Sequence, residues 1–119
     1  MKLPSIVQQA ARAALGKKAS DVVVLDLRKN DAITDRFLLV SGGNQKQLVA
    51  IADAVLDTLR QDGLRPRHIE GYPRQEWILL DFGDLVVHVF TPRTRSFYDL
   101  ERLWGGATRT EIGERGESA

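Results

Sequence analysis

The residues of this chain that could do chemistry include three potential metal ligands close together in its carboxyl-terminal half. Asp81, Asp84 and His88 are side chains that bind borderline divalent metals. The two aspartates flank a predicted turn, and His88 lies four residues into the next strand, so this spacing gives no reason for the three to converge. A histidine in a strand is more often hydrogen-bonded within the fold or exposed at an interface. We therefore predict no metal site here.

A glycine-containing loop could bind phosphate. The sequence SGGN at residues 41–44 precedes a helix that carries Asp53 and Asp57. In nucleotidyltransferases a similar loop is followed by paired carboxylates, which project from a strand and hold two metal ions. Here both aspartates fall on the polar face of a helix, and the glycines lack the spacing of a P-loop or a dinucleotide-binding loop. A nucleotide-binding enzyme of the nucleotidyltransferase type remains the alternative, which carboxylates converging near Gly42 would favour.

Two further catalytic signals are weak. Residues 81–83, DFG, match a protein-kinase motif, but 119 residues are too few for that fold and the other kinase motifs are missing. Ser41 and Ser96 have no histidine at a spacing typical of a serine hydrolase. The sequence therefore predicts no catalytic residue and no cofactor, and it favours a protein that acts by binding.

Composition is typical of one ordinary globular domain. Of the 119 residues, 43% are hydrophobic and 28% charged, and the net charge of +1 is no signature of nucleic-acid binding. The chain has no cysteine, which excludes disulfides and thiolate metal sites. The amino-terminal residues lack a long apolar run, so we expect a cytoplasmic protein without membrane contact. Residues 1–106 are expected to form the domain, and residues 107–119, which are poor in apolar side chains, a disordered tail.

Five segments predict the strands of one sheet. The first two, VVVLDL and RFLLVS, are almost continuously apolar, which is typical of strands covered on both faces. The tight FGD connection between the last two predicts an antiparallel hairpin. With helices interleaved, the pattern favours an α/β or α+β fold with a five-stranded mixed sheet and flanking helices. The predicted strands cover residues 22–27, 36–41, 65–70, 76–82 and 85–90.

Three helices are predicted around these strands. The first covers about residues 4–16, and the second covers about residues 44–63 with Asn44 as its cap. The third is short and is indicated by four apolar residues at helical spacing, with Ser96 and Asp99 placed as a cap. Those four residues are Phe97, Leu100, Leu103 and Trp104.

Longer motifs are far more specific than these short patterns. A strand of the form GD-x-VVHVF ends at Phe90 and is followed closely by FY-x-LE-x-LW at residues 97–104. Upstream, the match continues through ITDRFLLVSG at residues 33–42 and AIADAV at residues 50–55. This arrangement resembles the Iojap family, also called ribosomal silencing factor RsfS, over roughly residues 5–107.

The resemblance implies a nucleotidyltransferase-like fold without enzymatic activity. It implies binding to the large ribosomal subunit at its joining face, through a ribosomal protein of the L-fourteen family. Such binding would sterically block association with the small subunit and repress translation. The loop SGGNQKQ at residues 41–47 departs from the family's usual SGTS-x-RQ form, which weakens any phosphate-binding role for that loop.

The expected partner surface is the carboxyl-terminal hairpin and the helix after it. If the face of the strand that carries Ile78 is core, Trp77 and Leu79 face outward as apolar anchors. Nearby acidic side chains would complement a basic ribosomal protein. The predicted partner-binding residues are Trp77, Leu79, Asp81, Asp84, His88, Tyr98, Leu100 and Glu101.

A group of arginines allows two interpretations. It could be a solvated surface, or it could make a peripheral contact with ribosomal RNA phosphates, which the planar guanidinium fork binds well. A homodimeric scaffold is a further alternative, which an apolar self-complementary surface would favour. The arginines are Arg65, Arg67, Arg74, Arg93 and Arg95.

Overall fold

The computed structural model describes residues 3–30, 32–71 and 76–113. Their helices are α1 (Ser5–Gly16), α2 (Gln45–Gln61), α3 (Pro92–Tyr98) and α4 (Leu100–Leu103). Their strands are β1 (Ser20–Asp26), β2 (Arg36–Ser41), β3 (His68–Glu70), β4 (Trp77–Asp81), β5 (Leu85–Phe90) and β6 (Thr108–Glu111). The predicted α/β class and mixed sheet are confirmed, with six strands in place of five.

The strands form one sheet in the order β3-β4-β5-β2-β1-β6. The pair β2–β5 is parallel and the other four pairs are antiparallel. The hairpin between β4 and β5 is confirmed. It turns at Gly83, where φ is +91°, a value that glycine adopts without strain.

One face of the sheet, which we call the helical face, is covered by α1 and α2. The predicted cap of α2 is confirmed, since the Asn44 side chain accepts a hydrogen bond from the backbone N–H of Gln47 at 2.9 Å. The residues that meet at this face are apolar and almost completely buried. From the sheet they include Val24, Leu38, Val40, Ile78, Leu80, Val87 and Val89, and from the helices Ala10, Ala14, Leu48, Ile51, Val55 and Leu59.

The opposite face, which we call the aromatic face, is covered by the segment that follows β5. Leu100 and Trp104 from this segment pack against a smaller buried cluster. Because both faces are covered near the middle of the sheet, β1 and β2 have the continuous apolar runs that the sequence shows. The sheet residues of this face are Val23, Leu25, Phe37, Leu39, Trp77, His88 and Phe90.

The carboxyl-terminal helix differs from its prediction. Helix α3 begins at Pro92, and Thr91 caps it by accepting the backbone N–H of Thr94 at 3.3 Å. Proline is favoured at a first helical position because its missing N–H would have no partner there. Asp99 adopts a left-handed conformation, with φ of +49°, and divides the segment into α3 and α4. Ser96 therefore lies inside a helix, and its prediction as a cap is wrong.

The disordered tail predicted from residue 107 is wrong for residues 107–113. Strand β6 pairs antiparallel with β1, and the backbone N–H of Ile112 donates to the carbonyl of Val22 at 2.9 Å. Low apolar content misled the prediction because an edge strand needs only backbone partners and one buried side chain, here Ile112 at 7% exposure. The rest of the predicted tail, residues 114–119, lies outside the described residues.

Candidate functional site

Alternation along β4 places Trp77 and Leu79 on the aromatic face. Ile78 and Leu80 are fully buried on the helical face, whereas Trp77 and Leu79 are half-buried. Since side chains of a strand alternate between its faces, the predicted orientation of Trp77 is confirmed. Trp77 is the first residue of β4 and lies opposite Phe90 of β5, with ring centroids 5.6 Å apart.

Three aromatic rings run from this point out to solvent. The Trp77 and Tyr98 ring centroids are 4.7 Å apart, and those of Tyr98 and Phe97 are 5.0 Å apart. Exposure rises along the series, to 53% for Tyr98 and 79% for Phe97. We call these three residues the aromatic row. Leu103 on α4 adds a further apolar side chain at 71% exposure, and adjacent exposed apolar groups mark interaction surfaces.

A groove lies beside Trp77 at the sheet edge. It has a volume of about 520 Å³ and is lined by Glu70, Gly71, Trp77 and Leu79. Gly71 has a φ of +94°, and a Cβ atom there would collide with the carbonyl oxygen of Trp77. Glycine is therefore required for the chain leaving β3 to pass this close to β4, and that approach shapes the groove.

His88 is buried beneath the aromatic row and is not a surface contact. It is 4% exposed, and its Nδ1 accepts a hydrogen bond from the indole Nε1–H of Trp77 at 3.0 Å. The Phe37 ring lies edge-on to it at 4.5 Å. Burial lowers the pKa of His88 to about 4, so the ring is neutral at physiological pH. The prediction that His88 touches a partner directly is therefore wrong.

Glu101 is held inside the fold by two arginines. Its carboxylate accepts from Arg95 Nε at 2.9 Å and from Arg109 Nε at 3.1 Å. Burial raises the pKa of Glu101, but these hydrogen bonds and ion pairs outweigh that effect and lower it. Glu101 therefore fastens α4 to the sheet.

Arg95 is the centre of this network and was missed by sequence reasoning. It is 9% exposed, and its Nη1 donates to the carbonyl of Asp21 at 2.6 Å and to Ser41 Oγ at 3.0 Å. These partners are far away in the sequence, so no local pattern could have indicated them. Arg95 is thereby removed from the predicted arginine surface. Arg65, Arg67 and Arg93 are exposed, and Arg74 lies outside the described residues.

The remaining predicted residues lie on two sides of the aromatic row. Leu100 is half-buried and packs onto the aromatic face. Asp81 ends β4, where its Oδ1 accepts the backbone N–H of Gly83 at 2.8 Å, and Asp84 is exposed in the same turn. At roughly 3.3 Å per residue, Asp81 lies about 13 Å along the strand from Trp77. The acidic pair therefore flanks the row without mixing with it.

The glycine loop is filled by the chain itself. The backbone N–H of Gly43 donates to Gln47 Oε1 at 2.7 Å, and Gln47 Nε2 donates to the carbonyls of Lys17 and Lys18. A Cβ atom at Gly42 would come within 2.8 Å of Leu48, so the loop is packed closely against α2. The loop thus presents no open phosphate-binding cradle at this point.

Asp53 and Asp57, the carboxylates of the enzyme alternative, are both exposed on α2. Asp57 forms an ion pair with Arg60 at 2.8 Å. Within residues 3–30, 32–71 and 76–113, no group of three or more histidine, cysteine, aspartate or glutamate side chains could hold a metal ion. The convergence near Gly42 that would favour a nucleotide-binding enzyme is not observed there. In the same residues, no helix is long and apolar enough to cross a membrane.

Fold and surface together define a small mixed α/β protein with exposed apolar side chains on one side of its sheet. The family model for "Ribosomal silencing factor during starvation" matches residues 1–119, and the chain belongs to this RsfS family. The resemblance to the Iojap and RsfS proteins is thereby confirmed.

Individual relatives agree with this assignment. The chain is 38% identical over 112 residues to ribosomal silencing factor RsfS of Bacillus subtilis, covering 94% of this chain and 95% of the relative. It is 35% identical over 108 residues to the chloroplastic protein Iojap of Zea mays, covering 91% of this chain and 47% of that one. A crystal structure of a protein from Chromobacterium violaceum superposes with a TM-score of 0.83 at 35% identity, covering 88% of each chain.

Proposed function

We propose that this chain binds the large ribosomal subunit in the cytoplasm, at the face where the subunits join. It contacts a ribosomal protein of the L-fourteen family there and represses translation without catalysing a reaction. Family membership supports the ribosome as target. The observation that carries the proposal is the aromatic row together with the neighbouring Leu103, because adjacent exposed apolar side chains, unlike a single one, mark interaction surfaces.

The contact surface that we propose leaves out three residues of the predicted set and adds Phe97 and Leu103. The three residues left out hold the surface residues in place from inside the fold; they are His88, Leu100 and Glu101. At one end Asp84 supplies negative charge that complements a basic ribosomal protein, and Asp81 lies beside it in an ion pair with Arg67 at 3.8 Å. The direct apolar contacts that we propose are Trp77, Leu79, Phe97, Tyr98 and Leu103.

The mechanism is steric occlusion. The domain measures 34 × 33 × 28 Å, so on the joining face it would keep the small subunit away without any chemical step. Arg65, Arg67 and Arg93 are exposed, and the proposed peripheral contact with ribosomal RNA would make binding sensitive to salt. The same apolar surface could instead pair two copies of this chain, which a concentration-dependent mass in solution would show.

Co-sedimentation with separated ribosomal subunits tests the proposal. The protein should travel with large subunits and not with small ones, and it should prevent their association in a sucrose gradient. Trp77→Ala should weaken binding by roughly thirtyfold or more, as truncation of an interface tryptophan does. The matched control is Ile33→Ala, which truncates an apolar residue that is 99% exposed on the β1–β2 connection and should bind normally.

Three results would contradict the proposal. Equal binding to both subunits that moderate salt abolishes would indicate nonspecific attraction of the arginines to RNA. Full-strength binding by folded Trp77→Ala would show that the surface is wrong. Nucleotidyl transfer with magnesium or manganese that disappears in Asp53→Asn or Asp57→Asn would establish the enzyme alternative.

A further inference from the structure

His88 is a polar residue in the middle of an apolar layer. It lies on the central part of β5, where its strand neighbours across the sheet are Leu39 and Leu79. Its ring contacts Phe37 and Trp77, and its exposure is 4%. A leucine at this position would match its surroundings, so packing alone gives no reason for a histidine.

The hydrogen bond from Trp77 fixes the tautomer of the neutral His88 ring. Because Nδ1 accepts the indole proton, the neutral ring must carry its own proton on Nε2. Nε2 is buried and has no hydrogen-bond partner among the described residues. A buried donor without a partner destabilises a fold, so His88 costs stability that an apolar residue would not.

The acceptor on His88 sets the direction of the indole. Trp77 is half-buried at the start of β4, where packing against Phe90 and Tyr98 restricts its ring without satisfying its N–H. Only one edge of an indole carries a donor, so a single buried acceptor selects one of its rotamers. Tyr98 packs on the placed indole, and Phe97 packs on Tyr98.

We propose that His88 is a positioning residue, whose Nδ1 orients Trp77 and with it the aromatic row for docking on the large ribosomal subunit. This inference rests on the proposed function, but its structural half is independent of any partner. His88 never touches the ribosome. Its unpartnered Nε2 lowers the stability of the fold, while its Nδ1 holds the rings of the aromatic row in one arrangement.

A pair of substitutions separates positioning from packing. His88→Leu fills the site and removes the acceptor, whereas His88→Asn keeps an acceptor, its Oδ1, close to the position of Nδ1. In His88→Leu we expect an unchanged or higher urea midpoint, and an indole Nε1–H NMR signal of Trp77 that moves upfield and exchanges faster. We also expect an affinity for large subunits at least about tenfold lower, the scale of one lost hydrogen bond. His88→Asn should restore the signal and most of the affinity.

Further variants and outcomes separate the positioning role of His88 from the proposed function. Trp77→Phe identifies the Trp77 signal against that of Trp104. Wild-type binding by His88→Leu with a shifted indole signal overturns the positioning role and leaves the proposed function intact. An equal loss of affinity in both variants, with the indole signal restored in His88→Asn, also overturns it. If the wild-type protein does not bind large subunits at all, the proposed function itself fails.

Discussion

The two faces of the sheet are built from the same strands but differ in how completely they are covered. The helical face is apolar where α1 and α2 cover it, and its central residues such as Leu38, Ile51 and Leu80 have no exposed surface. Its charged residues Asp26 and Arg36 lie at the end of β1 and the start of β2, where Arg36 Nε is buried without a hydrogen-bond partner among the described residues. The aromatic face holds a buried histidine with an unpartnered nitrogen and rings that emerge into solvent. The first arrangement maximises burial, and the second gives up part of it to present a surface. Under the proposed function, stability and recognition are assigned to opposite sides of the sheet.

Two adjacent leucines of β4, one on each face of the sheet, give the strongest test of this difference between the faces. Leu80→Ala opens a cavity on the helical face and should lower the free energy of unfolding by about 2–5 kcal/mol. Leu79→Ala removes a half-buried side chain from the groove and should cost clearly less stability while weakening binding to large subunits. Urea denaturation and co-sedimentation of both variants measure the two effects. Equal destabilisation by the two substitutions would mean that both faces serve the fold alike.

Acid should act on the aromatic face before the helical face. The pKa of His88 is about 4 in the folded chain because burial disfavours the charged ring, whereas a solvated histidine has a pKa of 6.5. The unfolded chain therefore takes up the proton first as pH falls. The free energy of unfolding is highest above about pH 6.5, and protonation of His88 in the unfolded chain lowers it as pH falls toward 4. Between pH 7 and pH 5 the free energy of unfolding should drop by roughly 2 kcal/mol.

His88→Phe is the control for this pH effect, measured by urea denaturation at each pH. The substitution should remove most of the slope between pH 7 and pH 5. The depressed pKa values of Asp26 and Glu101 make both carboxylates contribute at lower pH, outside this window. A slope that survives His88→Phe would assign the effect to another group.

The smallest expected change in stability concerns the outer end of the aromatic row. Phe97 is 79% exposed, so Phe97→Ala should alter the free energy of unfolding by no more than about 0.5 kcal/mol. Its affinity for large subunits should nevertheless fall, because the ring is available to a partner. Thermal denaturation and co-sedimentation check both statements, with Leu64→Ala as a control on another exposed apolar residue. Normal binding would limit the recognition surface to Trp77 and its immediate neighbours.

Periodicity predicted most of the fold because the periods of helices and strands are local properties. The limits of β2 and β5, the cap of α2 and the orientation of Trp77 all followed from neighbours within a few residues. Strand β6 was missed because its pairing with β1 joins residues more than 80 positions apart and needs little apolar content.

Much of the candidate site depends on contacts that no local pattern contains. The sequence indicated the hairpin and the helix after it, but not which side chains remain accessible there. Arg95 was assigned to the surface, whereas its guanidinium donates to Asp21 and Ser41, which lie 74 and 54 positions away. Glu101 was assigned to a partner, whereas it accepts from Arg95. His88 was assigned to the interface because the sequence does not show that the chain after β5 crosses the sheet and buries this residue. Thr91 and Pro92 were the one overlooked local signal, since together they are typical of a helix start.

The segment that carries Phe97 and Tyr98 of the aromatic row is anchored at both of its ends. It leaves the central strand β5, crosses the sheet through α3 and α4, and re-enters the sheet as the edge strand β6. In chain-statistical terms it is a closed loop, so most of its conformational freedom is lost on folding and little remains to be lost on docking. The edge strand β6, with Ile112 as its anchor, therefore limits the conformational entropy that this segment would lose in the proposed docking.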